Sequence, residues 1–302
     1  MTDMPPAALI GRGSSSDVYR LADGRVLKLY TAGMPERLIA REEAAAAYAA
    51  ACGLPTARPL GRMRAAGRDG LLFDHIDGRT MLKGVRFRLI AALAALGGLA
   101  LLHARVHAVP PAPGLRRQRD QIANEIRHNG APPHWKTAAE AALAALPDGD
   151  RLCHGDVHPG NVIATRDGLT LIDWCKASIG HPAADAVRTE LLIRFAAHGG
   201  RRIHDRLLDM VRDLLGAFYV RRYARATGTP LAQLRRWRLP LAVAWADGMR
   251  STRDAAFRRM VERMVAAEAP HPARRGALRL RLPVLVLRAP VMTMLTFASA
   301  TV

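Results

Sequence analysis

The stretch CHGDVHPGNVI, at residues 153–163, brings together several side chains that could do chemistry. Asp156 and Asn161 are five positions apart and bracket a Pro-Gly turn, so both can reach a common point. Asp173 stands twelve positions after Asn161, at the end of the apolar run LTLI. Two carboxylates and one amide offer only oxygen ligands, which suit a hard cation such as Mg²⁺. The spacing therefore predicts a magnesium site.

Zinc binding and hydrolysis are the alternatives that this stretch raises. His154 and His158 could ligate zinc, but Cys153 has no partner at the spacing of a zinc finger or ribbon. A hydrolase needs a nucleophile beside a base, and the stretch contains no Ser, no Thr and no G-x-S-x-G pattern. Neither alternative explains the two carboxylates and the amide.

A glycine- and serine-rich turn, GRGSSSDV at residues 11–18, is a candidate phosphate-binding element. Glycines between two strands let backbone N–H groups approach anionic oxygens closely. Lys28, in the centre of the apolar strand VLKLY, can place a point charge on phosphate oxygens. Glu42 or Glu43 could hold that ammonium in place. With the acidic site above, these are the parts that phosphoryl transfer from a metal-bound nucleotide requires.

The elements that must position these residues change in character along the chain. Residues 8–30 predict a hairpin and a third strand, and PERLIAREEAAAAYAAAC predicts one helix that ends before Gly53. RPLGRMRA and DGLLFDHI predict two more strands, with Asp69-Gly70 as their turn. IDGRTM, at 76–81, predicts a further turn and the boundary of this first unit. The sequence thus predicts a small antiparallel N-lobe, residues 1–76, with a single helix.

The remaining residues, 77–302, predict a larger and mostly helical C-lobe, so the fold class is α+β. A long helix over 85–108 ends at the breaker PPAPG, and further helices follow over 115–128 and 136–146. Two loop-strand segments then flank the turn TRDG. The pattern is helical from 183 to 268, with interruptions expected at Gly199–Gly200, Gly228–Pro230 and Pro240. The apolar tail 283–302 contains two prolines and an arginine, and the pattern assigns it no role.

Composition excludes several classes of protein. The chain has 302 residues, half of them apolar, which is enough for a large core and argues against disorder. Its net charge of +19 is spread along the chain as arginine, and only 5% of residues are aromatic, so nucleic-acid binding is not expected. Three cysteines without metal-ligand spacing indicate buried free thiols in a reducing compartment.

The N terminus lacks the pattern of a signal peptide, and the apolar stretch at 89–102 is too short and too amphipathic for a membrane span. We therefore expect a cytoplasmic protein with no membrane partner. The pattern indicates no oligomeric state.

HGDVHPGN followed by LIDW resembles the signature of the aminoglycoside phosphotransferase/choline kinase family, which shares the two-lobed protein-kinase-like fold. The resemblance spans roughly residues 8–250 and its motifs occur in the family's order. It implies a kinase that transfers the γ-phosphoryl group of ATP or GTP to a hydroxyl of a small acceptor. Asp156 would be the catalytic base, Asn161 and Asp173 would hold Mg²⁺, and His158 would lie near the transferring phosphate.

The resemblance also assigns the nucleotide site. Lys28 would contact the α- and β-phosphates and pair with Glu42, with Glu43 as the alternative. The hinge would lie in FDHID, with Phe73 as gatekeeper and the backbone of Asp74 and Ile76 pairing with adenine. The residues that would cover the phosphates are Gly11, Gly13, Ser14, Ser15, Ser16 and Val18.

Four histidine and aspartate positions receive structural roles. The resemblance implies that His154 packs the catalytic loop and that Asp185 braces it by hydrogen bonds. His103 and His107 stand four residues apart and could ligate a metal, but at the end of an inward-packing helix a structural role is favoured. Trp237 and Trp245 are two helical turns apart, and we expect them in the core rather than stacked on the acceptor.

The acceptor is left open by the sequence. Cys175 stands where many relatives carry an acid, and the C-lobe is rich in arginine, which counts against a polycationic aminoglycoside. A choline-like amine, a sugar or another antibiotic are alternatives, as is a nucleotide-binding pseudokinase. Because every catalytic position is filled, an active enzyme is the favoured interpretation.

Overall fold

The computed structural model describes residues 7–81, 89–196, 206–248 and 254–268. Its first sheet has five antiparallel strands in the order β1-β2-β3-β5-β4. The strands are β1 (Ala7–Arg12), β2 (Ser16–Leu21), β3 (Val26–Tyr30), β4 (Pro59–Ala65) and β5 (Arg68–Phe73), and helix α1 (Glu36–Ala51) follows β3. Apolar residues of this sheet, such as Leu27, Leu29 and Leu72, form a core of their own. The predicted antiparallel N-lobe with one helix is confirmed.

The turn between β4 and β5 is not where the sequence placed it. Ala66 and Gly67 form the turn with positive φ angles, of 49° and 72°. Asp69 and Gly70 instead lie within β5, paired with Arg64 and Met63. A Cβ atom at Gly70 would lie 2.8 Å from Leu27 Cδ1 and 2.9 Å from the carbonyl of Lys28. Gly70 is therefore required by close strand packing, and the Asp-Gly pair misled because it is also a common turn sequence.

A second, small set of strands carries the central loops. Strand β6 (Arg79–Thr80) pairs with β8 (Val162–Thr165), which pairs with β9 (Gly168–Leu171). Strand β7 (Arg151–Cys153) pairs with β10 (Ser178–Gly180). The expected turn at 76–81 thus contains a short strand. Residues 79–80 belong with β8, which agrees with a boundary near residue 76, although that boundary remains a prediction.

The rest of the described chain is helical. The helices are α2 (Leu89–Ala108), α3 (Gln118–His128), α4 (Pro133–Ala144), α5 (Pro182–Phe195), α6 (Arg206–Thr227), α7 (Leu231–Arg236), α8 (Arg238–Ala244) and α9 (Asp254–Glu268). Helix α2 packs on α6, and α5 lies against α6 and α8. The mostly helical second part is as predicted.

Several sequence-based expectations differ from the structure or lie outside the residues that it describes. Pro240 lies in the first turn of α8, where no N–H donor is needed, so the helix break falls at Trp237 instead. The expected break at Gly199–Gly200 and the tail 283–302 lie outside the described residues. Cys52 is exposed, contrary to the expectation of buried thiols, whereas Cys153 is buried and Cys175 is half-buried.

Among the described helices, α2 alone is long and apolar enough to cross a membrane by length and composition. Core helices of water-soluble domains pass the same test. The C-terminal half of α2 buries Leu99, Val106 and two histidines in the core, as expected for a core helix. Trp237 is fully buried, and Trp245 packs against the same core, so both tryptophans are core residues as predicted.

Candidate active site

Lys28 connects the first sheet to α1 and to the loop after β9. Its Nζ lies 2.6 Å from Glu42 Oε1 and 2.9 Å from Asp173 Oδ1, and the lysine is almost entirely buried. Burial opposes the charged form, but the charges of Glu42 and Asp173 outweigh it, so the pKa of Lys28 is raised. The lysine therefore keeps its charge, and two carboxylates share one ammonium.

The same contacts distinguish the two glutamates of α1. Glu42 faces the sheet, and its second oxygen accepts a hydrogen bond of 2.7 Å from the hydroxyl of Tyr30. Glu43 points outward and pairs with Arg62 on β4, at 2.7 Å. Burial raises the pKa of Glu42, and the Lys28 ammonium opposes that shift. Glu42 is thus the partner of Lys28, while Glu43 is a surface residue.

Asp156 and Asn161 are brought together as the Pro-Gly turn suggested. A short 3₁₀ helix, Pro159–Asn161, turns the chain, and Asn161 Nδ2 donates a hydrogen bond of 3.0 Å to the carbonyl of Asp156. This bond fixes the amide so that its oxygen is turned away from the Asp156 carbonyl. The Asp156 carboxylate lies 3.2 Å from Lys176 Nζ, a contact for which the sequence offered no signal.

Asp173 completes this group of residues. The N–H of Ile172 donates to the carbonyl of Asn161 at 3.0 Å. This bond holds the segment that ends at Asp173 beside the Pro-Gly turn. Asp173 has a φ of 69°, an unusual backbone conformation for a residue other than glycine. Burial would raise its pKa, but the Lys28 ammonium prevails and holds the pKa at about 2. Asp173 is therefore ionised and available to a cation.

The two histidines of the loop have different surroundings. His154 is fully buried, with Nδ1 accepting from the N–H of Asp156 and Nε2 lying 3.2 Å from the carbonyl of Ile172. Burial lowers the pKa of His154, so the neutral ring supports the loop, as predicted. His158 Nδ1 accepts from the N–H of Gly160 at 3.0 Å and caps the 3₁₀ helix.

Asp185 anchors the catalytic loop from the first turn of α5. Its two carboxylate oxygens accept from the backbone N–H groups of His154, at 2.7 Å, and Gly155, at 2.9 Å. Gly155 has a φ of 80°, and a Cβ there would collide with the carbonyl of Lys176. The expected bracing contact of Asp185 is therefore present, and Gly155 cannot be replaced without moving the loop.

His103 and His107 form a second set of contacts with Asp185 that the sequence did not reveal. Their Nε2 atoms lie 3.0 and 3.2 Å from Asp185 Oδ2, and their Nδ1 atoms contact the hydroxyls of Tyr219 and Tyr223. The three residues are close enough together to hold a metal ion. Each ring nitrogen already has a hydrogen-bonding partner, so we assign both histidines a structural role rather than metal binding. The i,i+4 spacing pointed to the pair, but their partners lie 78 or more positions away in the sequence.

The residues expected to bind the nucleotide lie around the first sheet. The turn at Gly13 is closed by a bond of 2.8 Å from its N–H to the carbonyl of Ser16, and the Ser16 side chain is buried. Val18 pairs with Lys28 across β2 and β3. Gly11 packs against Val18, whereas Ser14 is exposed and Ser15 is half-buried in the turn between the strands.

The expected hinge follows β5 directly. Phe73 is buried at the end of this strand. The N–H of Asp74 donates to the carbonyl of Arg58, and the Asp74 carboxylate pairs with the Arg58 side chain. Because its N–H is already engaged, the backbone of Asp74 could offer adenine its carbonyl, which would accept from the amino group. Ile76 is partly buried and packs against the main core. This geometry is compatible with a hinge.

Comparison with known proteins agrees with this arrangement. The sequence model of the family described as "Phosphotransferase enzyme family" matches residues 7–226, so the chain belongs to that family and is a phosphotransferase. No curated protein matches the chain at the sequence level.

Solved structures share the fold at low sequence identity. An aminoglycoside-3'-phosphotransferase of type VIII is 19% identical with a TM-score of 0.58, covering 79% of this chain and 93% of its own. Amicoumacin kinase in complex with AMP-PNP, Ca²⁺ and Ami is 15% identical, with a TM-score of 0.57 and coverage of 88% and 89%. Choline kinase from Cryptosporidium parvum Iowa II is 10% identical, with a TM-score of 0.56 and coverage of 88% and 91%. The two-lobed kinase-like fold is therefore confirmed.

Proposed function

We propose that this protein is a cytoplasmic small-molecule kinase that transfers the γ-phosphoryl group of ATP or GTP to a hydroxyl of a small acceptor. The observation that carries the proposal is the junction of Lys28, Glu42 and Asp173 beside the loop that holds Asp156 and Asn161. A buried ammonium shared by two carboxylates is not explained by stability alone, because buried ion pairs contribute little net free energy to folding. It is useful where phosphates bind.

Each residue has a distinct role in this reaction. Lys28 would contact the α- and β-phosphates, held in position by Glu42, and the turn at 11–18 would cover them. Asp156 would accept the proton of the acceptor hydroxyl as that oxygen attacks the γ-phosphorus. His158 would lie beside the transferring phosphate as a neutral ring, because burial lowers its pKa. The backbone at Asp74 and Ile76 would bind the adenine edge.

The donor set fits Mg²⁺. The side-chain oxygen of Asn161 and the carboxylate of Asp173 are hard oxygen ligands, and they lie on adjacent backbone segments joined by the Ile172–Asn161 bond. A bound Mg²⁺ would offset the negative charge of the phosphates during transfer. The low pKa of Asp173 keeps this ligand ionised at every physiological pH.

A screen of nucleotide consumption tests the proposal. Purified protein with Mg²⁺ and either ATP or GTP would be incubated with aminoglycosides, other antibiotics, choline-like amines, sugars and sugar derivatives, and release of ADP or GDP would be followed. We expect acceptor-dependent release together with a phosphorylated acceptor in the mass spectrum. Failure to bind ATP or GTP would refute the proposal.

A further inference from the structure

Tyr30, the last residue of β3, is a second buried partner of Glu42. Its hydroxyl donates to Glu42 Oε2 at 2.7 Å, while Oε1 of the same carboxylate lies 2.6 Å from Lys28 Nζ. Tyr30 is 3% exposed and Glu42 is 1% exposed, so water has little access to either contact. The two oxygens of Glu42 are therefore engaged by two different residues of the same strand.

The strand places these two partners side by side. Side chains alternate along a strand, so Lys28 and Tyr30, two positions apart, share the face of β3 that meets α1. Leu27 and Leu29 lie on the opposite face, in the core of the sheet. Lys28 Nζ also lies 5.5 Å from the centroid of the Tyr30 ring, within the range of a cation–π contact. The Tyr30 side chain thus contacts both members of the Lys28–Glu42 pair.

The charge states of these groups make Tyr30 the donor and Glu42 the acceptor. Burial and the negative charge of Glu42 raise the pKa of the Tyr30 hydroxyl, so it keeps its proton. A buried carboxylate oxygen that lacks a donor is costly, because it has also lost its contact with water. Without the hydroxyl, Glu42 would have to turn or take up a proton, and either change would loosen its contact with Lys28.

The backbone of this segment also joins the turn that would cover the phosphates. Tyr30 pairs with Ser16 across β2 and β3, and the N–H of Thr31 donates to the carbonyl of Ser15 at 2.9 Å. These contacts involve the backbone and do not need the tyrosine hydroxyl. A variant that lacks only the hydroxyl would therefore keep the turn in place and change only the contact with Glu42.

We propose that Tyr30 is a positioning residue of the nucleotide site, whose hydroxyl fixes the rotation of the Glu42 carboxylate so that Oε1 holds Lys28 where the phosphates bind. This inference rests on the proposed kinase function and adds a residue to its site. Tyr30 acts through Glu42 and does not itself contact the nucleotide. Its place at the end of an apolar strand would otherwise mark it only as a core residue.

Nucleotide affinity tests the inference without turnover. AMP-PNP with Mg²⁺ would be titrated calorimetrically into the unaltered protein and into Tyr30→Phe, with GMP-PNP in its place if the unaltered protein prefers guanine. We expect the Kd of Tyr30→Phe to rise about tenfold or more, because Lys28 is held less firmly. The affinity for the matching nucleoside, adenosine or guanosine, should change little, since a nucleoside has no phosphate for Lys28 to contact.

Tyr48→Phe is the matched control. Tyr48 lies on α1, and its hydroxyl contacts only the carbonyl of Pro110, at 3.4 Å, among the described residues. Removing this hydroxyl should leave the affinity for AMP-PNP unchanged.

A double-mutant cycle shows whether Tyr30 acts through Glu42. Glu42→Gln keeps the shape of the side chain but removes the charge that holds Lys28, so adding Tyr30→Phe to it should change the affinity for AMP-PNP by less than about twofold. This comparison also serves if Tyr30→Phe alone is unstable, because the double variant leaves no buried carboxylate without a donor.

The outcomes separate this inference from the proposed function. An unchanged affinity for AMP-PNP in Tyr30→Phe would overturn the inference and leave the kinase function standing. Equal losses for nucleotide and nucleoside would also overturn it, since they would indicate a general loosening of the sheet. So would a full effect of Tyr30→Phe in the Glu42→Gln background. Failure of the unaltered protein to bind either nucleotide would refute the kinase function itself.

Discussion

The Nζ atom of Lys28 lies 2.9 Å from Oδ1 of Asp173, across 145 positions of sequence. Lys28 belongs to the first sheet and Asp173 to the loop after β9, so this contact crosses the space in which a nucleotide would bind. A nucleotide with its metal would therefore reach both the lysine and the aspartate.

Replacing Glu42 tests how Lys28 is held. Glu42→Ala would leave a buried ammonium without its closest partner, and we expect a loss of about 3–5 kcal/mol in the free energy of unfolding. Nucleotide-dependent turnover should also fall sharply. Glu43→Ala is the matched control, because it removes only a surface pair with Arg62 and should cost less than about 1 kcal/mol. Urea denaturation and ADP release measure the two effects, and equal losses in both variants would contradict the assignment.

Replacing Asp156 tests the catalytic base. Asp156→Asn keeps the shape of the side chain but cannot accept the acceptor's proton, so turnover should fall by about 10³-fold or more. Nucleotide affinity, measured by titration calorimetry, should be nearly unchanged because Asp156 does not contact Lys28 or Glu42. Substantial phosphoryl transfer by this variant would show that another group accepts the proton.

The histidine contacts of Asp185 predict a pH dependence of stability. Burial lowers the pKa of His107 from 6.5 to about 4, and the nearby His103 adds to this shift while Asp185 opposes it. The unfolded chain therefore binds this proton more readily than the folded protein does. Stability should be complete above about pH 6.5 and decline as the pH falls towards 4, by up to about 3 kcal/mol from this group.

Denaturation by urea at a series of pH values measures this decline. His107→Gln removes the titrating group, so its stability, although lower at pH 7, should change less between pH 6.5 and 4 than that of the unaltered protein. An unchanged slope in the variant would assign the acid sensitivity to other groups.

The glycine within β5 offers a test of the strand assignment. Gly70→Ala would place a Cβ 2.9 Å from the Lys28 carbonyl, and such overpacking should destabilise the protein by about 1–3 kcal/mol. Gly97→Ala, in α2, is a suitable comparison because its Cβ would make an ordinary contact of 3.9 Å with Phe218. This second change should be neutral or stabilising, since alanine favours helix more than glycine does. If residues 69–70 formed an exposed turn, Gly70→Ala would be tolerated equally well.

Much of the fold followed from local patterns. The apolar run VLKLY, the alanine-rich run after Pro35 and the turn TRDG each specify an element through short-range preferences, and the structure contains all three. The turn predicted at Asp69-Gly70 was wrong because two possible turn sequences, Ala66-Gly67 and Asp69-Gly70, lie within five residues of each other. There Ala66-Gly67 adopts the positive φ angles, and close packing against Leu27 determines the place of Gly70.

The candidate site was predictable where its residues are close in sequence or follow a family signature. Asp156 and Asn161 are five positions apart, and their convergence was expected. The choice between Glu42 and Glu43 depended on the rotation of α1 against the sheet, which tertiary packing sets. The contact of Lys176 with Asp156 depends on how the segment after Asp173 packs against the loop, and no local pattern encodes it.

Residues 55–56 limit where this protein can be recombined with a relative. Pro55 accepts a hydrogen bond from Leu171, and the Thr56 hydroxyl donates to the Leu171 carbonyl and accepts from the Trp174 indole. By position they precede residue 76, yet their partners flank Asp173. A chimera that exchanged the first 76 residues would therefore need matching residues at 171 and 174, or the segment that carries Asp173 would lose its support.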